Sequence, residues 1–422
     1  MDLVENESAL SDSLLRQLIA VGQADILVGL PTLNNAATVV SVVRAVHACF
    51  ARDFARLRTV LFNSDGGSTD GTPDLIRNAS FTEADMVQSS HSLRTLHRVV
   101  APYHGLPGKH TALRTVFAVA DLIQAKVVVV IDPGGPATTA DRVSELIDPI
   151  ARADAEFLTP RYRRHPRDGV LITQLVRPLV RALYGVALDE PLGAEFACSG
   201  RFASHCLGRD IWSHEAARFA IDLWLRTEAL ANGYSIGQIW RPAVTSAGAR
   251  TTLREAVRQV VLSLVECLRA HEPHWLRAEG VAELATWGSE PAMLPDFTGW
   301  DYQTLGEQAR HDILAIEPLL AEVLEPDLLA QLLDHPTDAS ARMDDELWVR
   351  SVYAFAAVTR LGHTSTEHLA DMFAPVYMRR ASSFMSHTAA ESPAIVQARL
   401  DGLCETFLRL KPALVARWSA DV

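Results

Sequence analysis

The stretch Lys126-Val-Val-Val-Val-Ile131-Asp132-Pro133-Gly134-Gly135-Pro136 decides the architecture. Its first half is continuous and β-branched, as suits a central strand covered on both faces of a parallel sheet. Its second half can be neither helix nor strand, because glycines and prolines crowd behind a single aspartate. Ligands of open α/β sheets bind outside the carboxyl ends of the strands, and Asp132 stands at such an end.

The same grammar repeats upstream. Asp25-Ile-Leu-Val-Gly-Leu30 reads as a buried strand stopped by Pro31, and Ala36 to Phe50 as the helix that follows. Arg58 to Phe62 is a second strand, after which Asp70-Gly-Thr-Pro73 opens a short helix with proline in its first turn. Arg98 to Ala101 is a third strand, and Lys109 to Ile123 is helical. This alternation, held from about Asp25 to Trp240, predicts an α/β fold with a mostly parallel sheet.

Beyond Ala249 the periodicity becomes helical. Thr252-Leu-Arg-Glu255 is a capping box before a helix to Leu268. Further helices are expected over Leu305 to Ala321, Met343 to Leu361 with Gly362 as the stop, and Pro393 to Leu410 behind Ser392. Trp275 to Trp300 reads as an irregular connection. The expected division is a helical extension over 1–24, an α/β domain over 25–248 and a mainly helical domain over 249–422.

Composition narrows the functional classes. A chain of 422 residues exceeds one hydrophobic core, and 48% hydrophobic with 21% charged residues is ordinary for a globular protein. A formal charge of −12 disfavours binding to nucleic acid or an anionic membrane surface. The five cysteines (Cys49, Cys198, Cys206, Cys267, Cys404) have no metal-ligand spacing and read as buried free thiols. The acidic start lacks the regions of a signal peptide, and no segment reaches the roughly 18 apolar residues of a membrane span. A cytoplasmic location with no membrane span is expected.

Four loops follow successive strands. Leu30-Pro31-Thr32-Leu33-Asn34-Asn35 is either a polar ligand loop or a βα turn using Pro and Asn for their dihedral preferences. In Asn63-Ser64-Asp65-Gly66-Gly67-Ser68-Thr69-Asp70-Gly71-Thr72, small residues allow close approach to the backbone. There Asp65 is placed to accept hydrogen bonds from a base or ribose, while Asp70 has the alternative job of a helix cap. Gly105-Leu106-Pro107-Gly108-Lys109-His110 leads into a helix whose N-terminus suits a phosphate, with Lys109 as a point charge. Asp132 can bind sugar hydroxyls or a divalent metal, or can serve as a turn residue.

These loops, in this order, resemble the glycosyltransferase-A fold, which uses nucleotide-diphosphosugar donors. The resemblance is sharpened by Glu190-Pro191-Leu192-Gly193-Ala194-Glu195-Phe196 and by the preceding Arg161 to Leu179. Both are similar to a region of the retaining synthases that make mannosylglycerate, glucosyl-3-phosphoglycerate and mannosyl-3-phosphoglycerate. The C-terminal half, with Asp345-Glu346-Leu347-Trp348, is most similar to mannosylglycerate synthase. By this resemblance Pro31, Leu33, Asn35 and Asp65 face the nucleobase side of the donor, and Lys109 contacts its diphosphate. Asp132 takes the first position of the family's DxD. Leu192, Gly193 and Glu195 lie beside the transferred sugar, Arg161 and Thr173 near the acceptor carboxylate, and Asp222 near both substrates.

The family pattern breaks at two metal positions. The DxD reads Asp132-Pro133-Gly134, and Ala243-Val-Thr-Ser-Ala247 stands where the family carries a metal-binding histidine. Mg²⁺ or Mn²⁺ held at Asp132 with phosphates and water, and a metal-independent route, are both compatible with what remains. The implied activity is transfer of a hexose, from GDP-mannose or a UDP-, ADP- or GDP-glucose, with retention, to D-glycerate or 3-phosphoglycerate. The alternatives are a catalytically degenerate nucleotide-binding relative and an inverting family-2-like transferase with another acceptor. The helical region is a candidate homodimer interface. The arginines Arg161, Arg163, Arg164 and Arg167 would serve a phosphorylated acceptor or form a solvated basic loop.

Overall fold

The apolar run after Asp25 forms an inner strand of a mixed sheet. The structure is a computed structural model, and it describes residues 10–79, 97–102, 109–135, 138–213, 217–242, 253–292, 294, 296–297, 301–334, 343–362 and 364–420. Among the described residues the strands are β1 (Ile26–Thr32), β2 (Thr59–Asp65), β3 (His97–Pro102), β4 (Val127–Val130), β5 (Phe157–Tyr162), β6 (Phe196–Ser199), β7 (Ile236–Arg241) and β8 (Thr286–Trp287). They form one sheet in the order β3-β2-β1-β4-β6-β5-β7-β8. β1 is parallel to β2 and β4, β2 to β3, and β7 to β8, while β6 runs antiparallel to β4 and β5. This is the mostly parallel α/β sheet expected. Every residue of β4 is buried, as its unbroken run of valines requires.

Helix α1 (Asp12–Val21) precedes β1, and α2 (Val39–Asp53), α3 (Thr72–Asn78), α4 (Lys109–Leu122) and α5 (Ala140–Ala151) fall between the early strands. A Cβ on Gly29 would lie 2.6 Å from Val116 Cγ1, so this glycine is what allows α4 to lie directly on β1.

Two strand ends differ from expectation, and both bear on the site. β1 does not stop at Pro31 but runs to Thr32. The Gly29 carbonyl accepts from Ile131 N at 3.1 Å on the β4 side, and the Thr32 carbonyl accepts from Gly66 N at 2.8 Å on the other. Pro31, two residues from Gly29, therefore faces the β4 side, where pairing with β4 has already ended, and its missing N–H forfeits no ladder bond. β2 runs past Phe62 to Asp65, with Ser64 opposite Pro31 and Asp65 opposite Thr32. Pairing with β1 and β3 on either side overrides the weak strand preference of Asn, Ser and Asp.

The chain divides into two compact units, and not at a single boundary near residue 248. The first comprises 1–161, 193–240 and 285–289, the second 162–192, 241–284 and 290–422. Of the segment expected to be an extension, the described residues 10–24 join the first unit, where Ala24 N donates to Ile123 O at 2.9 Å. Trp275 to Trp300 is not wholly irregular, since β8 pairs with β7. A boundary drawn where periodicity changes misses excursions that carry the same apolar content.

The second unit contains a π-helical turn (Ile172–Val176) leading into α6 (Arg177–Tyr184). The first unit adds α7 (Gly200–Leu207) and α8 (Ala217–Ala231), and the rest of the second follows as α9 (Leu253–Ala270), α10 (Glu272–Trp275), α11 (Tyr302–Ala315), α12 (Glu317–Leu320), α13 (Pro326–Asp334), α14 (Asp345–Leu361), α15 (Thr366–Thr388) and α16 (Pro393–Ala420). Gly362, at φ +66°, ends α14 as its sequence position suggests. Trp348 is wholly buried and donates Nε1–H to the Gln174 carbonyl at 2.8 Å. All five cysteines are buried and none forms a disulfide, and burial pushes the Cys49 thiol up to about 12. No helix among the described residues is long and apolar enough to cross a membrane.

Candidate functional site

The register of the sheet gathers the predicted loops at one edge of the first unit. β1, β2 and β4 are parallel, so Leu33–Asn35, Gly66–Gly71 and Asp132–Gly135 leave the sheet on the same side. β6 is antiparallel to β4 with Phe196 opposite Val130, which brings Gly193-Ala194-Glu195, just before β6, to that edge as well. β5 is antiparallel to β6 and delivers Arg161 there too.

The β1 and β2 loops are laced together by side chains. Asn34, at φ +56°, donates its N–H to Ser68 Oγ at 2.8 Å, and its Oδ1 accepts from Thr69 N at 2.9 Å. Asn35 N donates to Thr72 Oγ1 at 2.9 Å, its Oδ1 accepts from Leu33 N at 2.8 Å, and Ala36 N donates to Asp70 Oδ2 at 2.8 Å. Thr72 and the Ala36 amide hold the Asp70 carboxyl below its ordinary range. Leu33 is left 49% exposed at the end of β1, an apolar side chain open among the described residues. A Cβ on Gly134 would lie 3.6 Å from Asn35 Nδ2, so the β4 loop approaches the β1 loop.

Asp65 does a different job from the one expected. It is buried, and Oδ1 accepts from Thr32 Oγ1 at 2.8 Å and Ser68 Oγ at 2.7 Å. Oδ2 accepts from Gly67 N at 3.0 Å and Ser68 N at 2.9 Å. Four donors fill the four acceptor sites of a carboxylate, leaving none for a base or ribose. Asp65 builds the loop. Asp132 is half-buried, and its Oδ1 accepts from Gly134 N at 2.8 Å, the turn role weighed for it.

Charge collects on the other side of the edge. Lys109, the first residue of α4, places Nζ 2.7 Å from both Asp222 oxygens and 3.0 Å from the Ala194 carbonyl. Both side chains are largely but not wholly covered, 28% and 15% exposed. Lys109, Asp222 and the Gly193–Glu195 turn are thus brought together. Residues 105–108, which precede Lys109 in the phosphate-loop expectation, lie outside the described residues, as do Thr252 of the capping box and 243–247.

One residue of this cluster was not anticipated. Arg226, one helical turn after Asp222 on α8, is wholly buried. Its guanidinium donates to Thr159 Oγ1 at 2.7 Å, to the Asp222 carbonyl at 2.7 Å, and to the Gly193 and Glu195 carbonyls at 2.6 and 3.3 Å. The signal was available, because an Asp–Arg pair at i,i+4 stands inside the apolar run Ala220-Ile-Asp-Leu-Trp-Leu-Arg226.

The remaining predicted residues are divided between the two units. Arg161 lies over the Trp240 ring at 4.5 Å, a cation–π contact that the basic-loop reading did not foresee. Thr173, Glu190 and Leu192 belong to the second unit. Thr173 lies in the π-helical turn, and its buried Oγ1 has no hydrogen-bond partner among the described residues. The other arginines of the basic segment are engaged within that unit. Arg163 reaches the Pro291 carbonyl at 2.8 Å, Arg164 pairs with Glu190 at 2.9 Å, and Arg167 lies over Phe297 at 4.9 Å. They do not form a solvated loop.

A protein-built cation site does not fit these residues. No group of three His, Cys, Asp or Glu side chains that could hold a metal occurs among the described residues, and one oxygen of Asp132 is already engaged by Gly134.

No family model and no curated protein matches the sequence. Among solved structures, the chain is similar to glucosyl-3-phosphoglycerate synthase from Mycobacterium tuberculosis in complex with Mn²⁺, uridine diphosphate and glucosyl-3-phosphoglycerate, at 20% identity and TM-score 0.41, over 64% of this chain and 88% of that one. Another crystal structure of the M. tuberculosis synthase gives 21% identity and TM-score 0.40 over 61% of this chain and 84% of that one. A structure described as a mycobacterial protein gives 19% identity and TM-score 0.42 over 63% and 80%.

Proposed function

We propose that the chain transfers a hexose from a nucleotide-sugar donor to a small carboxylate acceptor such as D-glycerate or 3-phosphoglycerate, with retention. The observation that carries the reading is Lys109, whose ammonium stands among strand-end loops beside a turn of three carbonyls and a carboxylate. A diphosphate at this edge competes with Asp222 for that ammonium. Lys109 then stabilises the negative charge that develops on the leaving group. As the bond to the diphosphate breaks the sugar passes through an oxocarbenium-like state, flanked by Gly193 and Glu195, and the acceptor hydroxyl attacks from the face the diphosphate leaves, giving its proton to the departing diphosphate oxygen. The exposed Leu33 offers an apolar contact to a nucleobase, with Pro31 and Asn35 in the same loop. Arg161 is the proposed contact of the acceptor carboxylate. Bound Mg²⁺ or Mn²⁺ would supply further neutralisation of the diphosphate, but no step here depends on it.

Turnover assays with GDP-mannose, UDP-glucose and ADP-glucose, each with and without EDTA and with either acceptor, test the reading. Retention is read from the anomeric configuration of the product. Failure of every donor in every combination removes the transferase. A second reading, a nucleotide-binding protein without turnover, draws on the filled acceptor sites of Asp65 and the pairing of Lys109 with Asp222. Calorimetric binding of UDP or GDP without turnover would favour it.

A further inference from the structure

We propose that Arg226 is a positioning residue of this edge, fixing the Gly193–Glu195 turn and the facing of Asp222 without touching either substrate; the proposal rests on the transfer reading above. A guanidinium taken wholly out of water costs several kcal/mol unless its donors are used. Here they go to oxygens on three separate elements: Thr159 of β5, Asp222 of α8, and the turn ahead of β6. The Asp222 carboxylate oxygen Oδ1 lies 3.9 Å from the guanidinium, farther than the oxygens it hydrogen-bonds. Leu223, Trp224 and Leu225 beside it are themselves buried, and an apolar side chain at 226 would join them without a desolvation cost. It would, however, leave the Gly193 and Glu195 carbonyls without the donor they have.

What the arginine adds is orientation. It takes the carbonyls of residues 193 and 195, and Lys109 takes the carbonyl between them. Three successive carbonyls thus point to two cations. Gly193 packs tightly against β5, because a Cβ there would lie 2.4 Å from Pro160 Cγ. α8 is interrupted at Ala220 (φ −137°, ψ 47°), two residues before Asp222, and the Arg226–Asp222 carbonyl bond ties down the helix just past that break. When a diphosphate draws Lys109 from Asp222 and Ala194, Arg226 is the cation left to hold the turn and the helix in register. Pre-set geometry of this kind belongs to sites where small displacements are costly.

The test uses Arg226→Met, which keeps most of the volume, and Arg226→Lys, which keeps one cationic donor. In Arg226→Met, kcat is expected to fall about 100-fold, the loss that misplacement of about 1 Å can produce. UDP or GDP binding by calorimetry should change little, and Arg226→Lys should recover part of kcat. Amide hydrogen exchange supplies a readout independent of turnover: residues 194–196 exchange faster in Arg226→Met, while the β4 amides keep their protection. If Arg226→Met does not fold, the same comparison is made with Arg226→Lys. Unchanged exchange at 194–196, or kcat unchanged in a folded variant, overturns the positioning role. Should the wild type turn over no donor, the transfer reading fails by itself, and the exchange result still decides whether Arg226 sets the turn.

Discussion

The two sides of the candidate edge are built from different interactions. On the β1–β2 side, Asn34, Asn35, Asp65 and Asp70 spend their oxygens and amides on one another's backbone, and the loops are closed networks. On the β6 side, two cations and one carboxylate hold a three-residue turn, and one of those cations is only partly covered. Networks in which each acceptor has a donor inside the protein rigidify a loop and have nothing to exchange with a ligand. An ion pair at a partly wet surface has modest net strength, so a charged ligand can displace it. The first side is a scaffold, and the second is where chemistry has something to trade.

The sharpest way to break this comparison is Lys109→Met. If the exchangeable ammonium serves the leaving group, kcat/KM with the donor that turns over should fall by about 10²–10³, the usual cost of removing one preorganised donor from a developing charge. Lys109→Arg keeps the charge but not the compact ammonium, and should lie between the two. Steady-state kinetics on the three proteins decide it. Equal rates would move the chemistry elsewhere.

The scaffold side answers to Asp65. Asp65→Ala removes four accepted hydrogen bonds from a buried site, and loss of about 2–4 kcal/mol is expected from the donors left without partners. Asp65→Asn should be nearly as harmful, because one amide NH₂ must then face donor groups. Denaturant unfolding measures both. Unaltered stability with weakened nucleotide binding would return Asp65 to the ligand-binding role read from the sequence and erase the contrast between the two sides.

How much of this was legible beforehand follows from the kind of signal each feature leaves. β4 and the first three strands announce themselves as short apolar runs, and the sheet edge follows from where those runs stop. The antiparallel entry of β6 has no such mark, since Phe196-Ala-Cys-Ser199 reads the same in either direction. α15 was missed because most of Thr366–Thr388 is buried, including Arg379 and Arg380, so no polar face alternates with an apolar one; Pro375 inside it reads as a breaker. Arg380 is held there by Gln174 Oε1 at 2.9 Å and Asp345 Oδ1 at 2.6 Å, partners far away in sequence. At the site, residue type pointed to Lys109 and Asp132, and the family resemblance to Asp222. It could not tell that the Asp65 oxygens were spent, because a carboxylate that builds a turn and one that binds a ribose are the same letter.

A smaller effect is expected at the turn itself. Gly193→Ala adds a methyl into the Pro160 ring, which has no rotamer to yield, and brings it within 3.1 Å of Arg226 Nη2. Overpacking of this sort costs about 1–3 kcal/mol. Because the methyl pushes on the residue that holds the turn, kcat should fall along with the midpoint of unfolding. A loss of stability alone would mean that the turn tolerates displacement, and would weaken the case that the charged side must be held so closely.

The weakest lever lies in the second unit and separates stability from chemistry. Burial is the main cause holding the His274 imidazole below its ordinary range, with His271 and Lys411 beside it; a bond with the Tyr184 backbone acts the other way. Burial likewise lowers His165, with Arg167 adding to the effect and Asp168 opposing it. For both, the unfolded chain binds a proton at a pH where the folded protein does not. Their contribution is therefore intact above the ordinary value of 6.5 and is lost as pH falls from there through the folded values. The urea midpoint should drop between about pH 7.5 and about pH 5.5, the window in which histidine titrates. His274→Phe, which can keep the stack on Tyr184 seen at 5.5 Å, should show a smaller drop. An identical drop in the variant would place the acid sensitivity at His165 or in carboxylates, and leave the His274–Tyr184 contact as packing alone.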